Sequence, residues 1–272
     1  MKRSDSTSTR GILHASAGQQ KFALSRFDPG PRLRPFIEHY WAIRYDLGAE
    51  TPYTQTVLSY PNINLAFEQD HSGRHASVYG VPRRLFVQEL RGSGKVLGVK
   101  FRVGGFYPFW NRDVALLFGT RMAANEVFGL EADDWLSTVL DAGDDAAMAE
   151  QAERALLTQL PSIDDQAELA ASLVHETMNN RAIIRVEQLC EHSGMSVRQL
   201  QRLFRKYVGV TPKWVIKQFR LQEAAQHLEQ DESAHWAELA VQLGYFDQAH
   251  FIKDFKSVLG QSPTAYRNRS NL

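Results

Sequence analysis

One unit occurs twice in the last third of the chain. Leu189, Cys190 and Gly194 recur as Leu239, Ala240 and Gly244 at an offset of 50. After one inserted residue, Leu200, Phe204, Gly209 and Pro212 recur as Phe251, Phe255, Gly260 and Pro263 at an offset of 51. A repeat of this period means one supersecondary unit used twice. Each copy reads as helix, tight turn, helix. In the first, "VEQLCEHSG" stops at Gly194, and Ser196 stands where it can cap "SVRQLQRLFRKYVG". Leu200, Leu203, Phe204 and Tyr207 fall on one stripe of that second helix, and Arg198, Gln201, Arg202 and Arg205 on the opposite one. In the second copy "WAELAVQL" precedes Gly244 and Asp247 is the cap. Phe251, Phe255 and Val258 then face inward, with Gln248, Ala249, Ile252, Lys253 and Lys256 outward. Between the copies, "PKWVIKQFRLQEAAQHLEQ" has Pro212 at a helix start and Trp214, Phe219, Leu221, Ala225 and Leu228 among good helix formers. About 18 residues of helix span roughly 27 Å. With the half-widths of the units added, two reading helices can stand about one DNA turn apart, ~34 Å.

A formal net charge of zero over 272 residues is odd for a chain with a nucleic-acid partner, but the charge is sorted along the chain. Ser196 to Arg220 carries seven bases (Arg198, Arg202, Arg205, Lys206, Lys213, Lys217, Arg220) and no acid, whereas Glu131 to Asp165 holds ten acids and one base, Arg154. A local basic face can bind a polyanion on a neutral molecule. In the major groove Arg and Gln offer the paired donors and acceptors that match guanine and adenine edges, while Ala or Ile packs on a thymine methyl.

The length favours two domains. From Phe22 to about Phe101 the chain has the texture of short strands: "HYWAIRYDL", "YTQTVLSYPNINLAFEQ", "HASVYGV", "RRLFVQELRG" and "KVLGVKFRV" are rich in β-branched and aromatic residues and broken by Gly, Pro, Asn and Asp. That predicts a small antiparallel barrel or sandwich. After "GGFYPFW" the spacing turns helical, as in Ala152, Ala155, Leu156 and Leu160. The expected fold class is α+β: a disordered lead over 1–21, a β-rich sensing or dimerising domain with trailing helices over 22–160, a joint at 161–167, and an all-α DNA-binding domain over 168–272. The start, "MKRSDSTSTRGILHASAGQQ", has no apolar h-region and does not read as a secretory signal. No apolar run reaches the roughly 20 residues of a membrane helix. The single cysteine, Cys190, forms no internal disulfide and fits a reducing cytoplasm. Since its counterpart in the second unit is Ala240, it reads as a small buried residue.

Residues from about Glu168 to Arg267 resemble the DNA-binding domain of the AraC/XylS family of bacterial transcription regulators, and "GYFDQAHFIKDFKSVLGQSPTAYR" is similar to that family's C-terminal signature. The resemblance covers about 100 of the 272 residues. By analogy it places base contacts on Arg198, Gln201 and Arg202 in the first unit, and on Gln248, Ala249, Ile252 and Lys253 in the second. Ser196, Arg205, Lys206, Lys213, Lys217, His250 and Lys256 are assigned to phosphates, which position the protein and carry no sequence code. "SYPNINLAFE" and "KFRVGGFYPFW" more loosely resemble the β-rich domain that precedes this module in many members. This implies a sensing or dimerising domain and names no ligand. Tyr60, Asn62, Asn64, Phe67, Phe101 and Phe106 are the candidates to line a pocket for a small organic effector. The partners expected are double-stranded DNA, that effector, a second copy of the chain and, for an activator, RNA polymerase; no cofactor is expected.

Two rival readings belong to other classes. An enzyme steered to DNA, such as a repair methyltransferase, needs an activated cysteine, and the one present lies in the helix-turn-helix scaffold. No Gly-rich phosphate loop, metal-binding His/Glu pair on a helix or nucleophile elbow accompanies it. His14, His39, His71 and His75 are scattered, which argues against a metal site. The other rival is a ligand-free protein-binding adaptor.

Overall fold

The structure is a computed structural model that describes residues 21–48, 52–230 and 236–270. The expected lead, except for Lys21, lies outside the described residues, as does His14.

The described residues contain eight strands. They are β1 (Ala23–Phe27), β2 (Ile37–Asp46), β3 (Tyr53–Val57), β4 (Asn64–Asp70), β5 (Gly73–Tyr79), β6 (Phe86–Leu90), β7 (Ser93–Phe101) and β8 (Arg121–Ala123). Six make one antiparallel sheet in the order β1-β2-β7-β4-β5-β8, and β3 pairs with β6 as a separate ribbon. Side chains alternate between the two faces of a strand, so cross-strand register decides which residues share a face. Tyr40 lies opposite Val99, Val99 opposite Leu65 and Leu65 opposite Val78; all four are buried. Ala42, Leu97 and Phe67 make the next row of the same face. Helices α3 (Glu131–Leu140) and α4 (Asp145–Thr158), preceded by α1 (Tyr107–Trp110) and α2 (Ala124–Phe128), cover that face. The ribbon lies over the other face, where Tyr45, Leu90, Phe22 and Leu47 cluster and Phe86 meets Tyr79 edge-on at 5.8 Å. The sheet does not close: of the two forms expected, the sandwich is the one built.

Among the described residues seven helices follow: α5 (Asp165–Asn179), α6 (Val186–Ser193), α7 (Val197–Tyr207), α8 (Pro212–Gln230), α9 (Trp236–Gln242), α10 (Gln248–Leu259) and α11 (Pro263–Ser270). Pro161–Ile163 carries no regular structure, and Asp164 then caps α5 by accepting from the Gln166 and Ala167 amides. The apolar core runs through this joint without a break. It extends from Phe27 through Phe106, Leu156 and Ala170 to Phe204 and Phe219. A second core, with Leu221, Ala225, Phe251, Phe255 and Tyr266, serves the second unit. The 19-residue helix α8 enters both, through Val215, Ile216 and Phe219 on one side and Leu221, Ala224 and Leu228 on the other.

Three further contacts tie α8 to the sandwich. The Gln218 and Gln222 side-chain amides both donate to the Ser59 carbonyl, at 2.9 and 3.1 Å. The Tyr60 ring stacks at a tilt on Phe219, 5.4 Å between centroids. Arg220, counted by its type with the basic face, is instead 3% exposed. It donates to the Thr177 and Met178 carbonyls at the end of α5 and pairs with Glu223 at 2.6 Å.

Phe204 is wholly buried in the core shared with the sandwich. Phe204→Ala is therefore expected to cost about 3–5 kcal/mol of stability. Urea unfolding read by tryptophan fluorescence checks this, because Trp110 and Trp135 belong to the same core. A transition unchanged from the parent contradicts the shared core.

Candidate nucleic-acid interface

Both units hold their second helix by the same local devices. Gly194 and Gly244 turn the chain with φ of 67° and 76°, a left-handed conformation that costs glycine least. Ser196 then forms a capping box: its amide and hydroxyl donate to the Gln199 side-chain oxygen at 2.9 and 2.8 Å, and its hydroxyl accepts from the Gln199 amide at 3.4 Å. In the second unit the Asp247 carboxylate accepts from the His250 amide at 2.7 Å. Leu200, Leu203, Phe204 and Tyr207 are buried on α7, as are Phe251, Phe255 and Val258 on α10. The inward stripes are those the sequence predicts.

The outward faces divide. Arg198, Gln201 and Arg202 are exposed on α7, and Gln248, Ala249 and Lys253 on α10, while Ile252 is half-buried against the second core. Among the residues assigned to phosphates, Lys213 and Lys256 are exposed and Ser196 serves as the cap. The other cations have partners within the chain. Arg205 donates to Asp113 at 3.0 Å, across to the sandwich domain. Lys206 lies over the rings of Tyr107 and Tyr207, 4.7 and 4.9 Å from their centroids. Hydrogen bonding to Tyr107, then to Tyr207, holds its ammonium above the usual lysine range. Lys217, two-thirds buried, pairs with Asp254 at 3.2 Å. Asp254 also accepts from the Tyr245 hydroxyl at 3.1 Å and lies 3.6 Å from His250, so one carboxylate stitches α8 to α10. Burial, then the Asp254 charge, raises the Tyr245 phenol above its ordinary range.

Sequence reasoning passed over Asp113, Asp254 and Phe246. Asp113 carries no local signal, because its partner is 92 residues away; Asp254 has a local one in His250 four residues before it, but its bond to Lys217 spans 37 residues. Phe246 is fully exposed, directly before the cap of α10.

The six residues expected to line an effector pocket have different surroundings. Phe67 and Phe101 point to the helix-covered face and, with Phe106, are core: Phe101 and Phe106 pack edge to face at 5.2 Å. Asn62 is buried and donates to the Phe101 carbonyl at 2.7 Å. Tyr60 belongs to the α8 contact, and Asn64 is half-buried at the start of β4. The other face of the sheet is more polar. There the Tyr79 hydroxyl donates to the buried Glu68 at 2.6 Å, His75 approaches the same oxygen at 3.1 Å, and Arg121 donates to Tyr79 at 3.2 Å. Among the described residues no group of three His, Cys, Asp or Glu is placed to hold a metal, and no helix is long and apolar enough to cross a membrane. Cys190 is half-buried beside the first core.

Residues 189–269 match a helix-turn-helix domain family, and residues 25–123 match a domain of unknown function, DUF6597. The chain is 34% identical over 94 residues to the HTH-type transcriptional activator AarP of Providencia stuartii, covering 35% of this chain and 67% of that one. It is 35% identical over 104 residues to the activator RhaR of Klebsiella pneumoniae, covering 38% of this chain and 34% of the relative. An uncharacterized HTH-type regulator of Haemophilus influenzae is 37% identical over 87 residues, and there the match spans 32% of this chain and 29% of the relative. Among solved structures, an AraC-type regulator from Chromobacterium violaceum is similar over 36% of this chain and 88% of its own, at 25% identity and a TM-score of 0.33. ToxT from Vibrio cholerae is similar over 91% of this chain and 98% of its own, at 12% identity and a TM-score of 0.38.

The caps yield a direct check. Ser196→Ala and Asp247→Ala are each expected to destabilise by about 1 kcal/mol, within the 0.5–2 kcal/mol typical of lost N-caps. Chemical denaturation of the two variants measures it; no loss in either means that the cap does not hold its helix.

Proposed function

Because the chain belongs to the AraC/XylS family of DNA-binding transcription regulators, we propose that it reads one operator through two successive major grooves under the control of its N-terminal domain. The observation that carries this reading is the placement of α7 and α10. Both are capped, both present a polar outer face, and the 19-residue α8 joins their units. That helix is about 28 Å long, which with the units' half-widths suits grooves ~34 Å apart. Arg198, Gln201 and Arg202 read base edges in the first groove, with Gln248, Ala249, Ile252 and Lys253 in the second. Lys213, Lys256 and His250 hold phosphates.

Control comes from the sandwich domain, residues 22–160, which joins the reading domain, 168–272, through 161–167. Arg205 and Lys206 are held by Asp113 and Tyr107 of that domain, so a small organic effector that moves this surface changes how many cations face DNA. The polar sheet face around Glu68, His75, Tyr79 and Arg121 suits such a ligand better than the packed aromatics do. A dimer formed by the N-terminal domain raises the effective concentration of two reading domains at one site. Relatives named activators support a role in recruiting RNA polymerase, in the cytoplasm.

Arg202→Ala in the full-length protein is expected to cost about 1–3 kcal/mol at the preferred duplex and to relax its sequence preference. Lys213→Ala is expected to weaken selected and random duplexes alike and to flatten the salt dependence. Anisotropy titrations over a salt series compare them; equal losses on both duplexes for Arg202→Ala remove its base-reading role. Asp113→Ala frees Arg205 and is expected to tighten binding by about 0.2–1 kcal/mol, the usual worth of an exposed ion pair. Unchanged affinity in the same titration means that Asp113 does not restrain Arg205.

A further inference from the structure

Among the described residues none packs on Phe246, the aromatic residue in front of α10. An apolar residue just before an N-cap ordinarily packs on the fourth helical residue, a hydrophobic staple. With Asp247 as the cap, that fourth residue is Phe251. Its ring, however, is met by Tyr245, 5.3 Å away at 78°, and Tyr245 is anchored in turn by its hydroxyl on Asp254. The staple is therefore built one residue early, and Phe246 is left turned to water at 103% relative exposure. A phenyl ring gains on the order of 1.5–3 kcal/mol when buried, so this one is kept available for a surface outside the chain.

Its surroundings say which surface. The N-terminal residues of a reading helix lie at the base edges, and the residue before them stands at the lip of the groove. Ala249 is exposed on the next part of that face, and Ile252 is half-exposed one turn on. Lys253 and Lys256 are exposed along the same helix, which suits a polyanion. The apolar group that a base presents in the major groove is the thymine C5-methyl. We propose that Phe246 is a specificity-determining residue that packs on thymine methyls of the second half-site together with Ala249. The operator is then asymmetric: α7 reads purine edges through Arg198, Gln201 and Arg202, and the α10 unit reads methyl groups.

This rests on the two-groove reading, and the test separates the two. A duplex selected by the full-length protein from a random library is compared with the same duplex carrying deoxyuridine for thymine in the second half-site, which removes the methyls and leaves base pairing intact. The parent is expected to bind the uracil duplex about fourfold more weakly per contacted methyl, the worth of one small apolar group. F246A is expected to bind the thymine duplex more weakly by a similar factor and to lose most of the parent's sensitivity to uracil, the remainder resting on Ala249, with its unfolding midpoint unchanged. F246L, which keeps an apolar side chain, is expected to retain part of the discrimination. If the parent prefers the selected duplex over a random one while F246A binds as tightly as the parent, or remains as sensitive to uracil, the role of Phe246 is overturned and the two-groove reading stands. If the parent shows no sequence preference at all, both are overturned.

Discussion

Everything in this molecule turns on a helix that is packed into two cores. The first half of α8 is held by the core that begins in the sandwich, and the second half by the core of the second unit. The distance and angle between α7 and α10 are thereby set by packing, since closely packed interiors tolerate little sliding. Polar contacts fix the rotation of α8. The Ser59 carbonyl takes two glutamine amides one helical turn apart, and Arg220 closes the end of α5 by satisfying carbonyls the helix leaves unpaired. Breaking such a buried contact exposes the full desolvation cost of the group left behind. The sandwich is thus a structural support of the helix-turn-helix units as well as their neighbour.

The cations show a different balance. Ser196 to Arg220 looks like an uninterrupted basic face in sequence, yet within it Arg220 is buried and Lys217, Lys206 and Arg205 have partners. The Arg205–Asp113 pair is largely exposed, and exposed pairs are worth little in water. The contact it makes between the sandwich and α7 is therefore a weak restraint. Lys217 and Asp254 are better shielded and hold the second unit against α8. One type of residue therefore does two jobs, and solvent exposure separates them.

In the sandwich, register decides chemistry. Phe67 and Phe101 lie on the face that α3 and α4 cover, where burying aromatic area stabilises the domain and leaves those rings as packing. Glu68, one residue from Phe67, lies on the opposite face, where Tyr79 and His75 satisfy it. Burial, then the charge of Glu68, raises the Tyr79 phenol above its ordinary range. A one-residue step along a strand thus moves from core to polar network.

What the sequence alone determined is what local periodicity and capping can carry. The duplicated unit, the Ser196 and Asp247 caps, the inward stripes, the linker helix and the open faces of Arg198, Gln201 and Arg202 all follow from spacings of three, four and fifty residues. The strand-rich half was legible in the same way, from β-branched runs and their breaks. Tertiary structure decided whatever depends on residues far apart in the chain. Gln218 meets a carbonyl 159 residues away, Arg205 an acid 92 away, and the ribbon β3–β6 lies over one sheet face and the helices over the other. None of these pairings leaves a periodic trace, because they are selected by the shape of the packed core and not by neighbours along the chain. Phe246 shows both levels at once: its place before the cap is written in sequence, but its exposure follows from Tyr245 having taken its seat on Phe251.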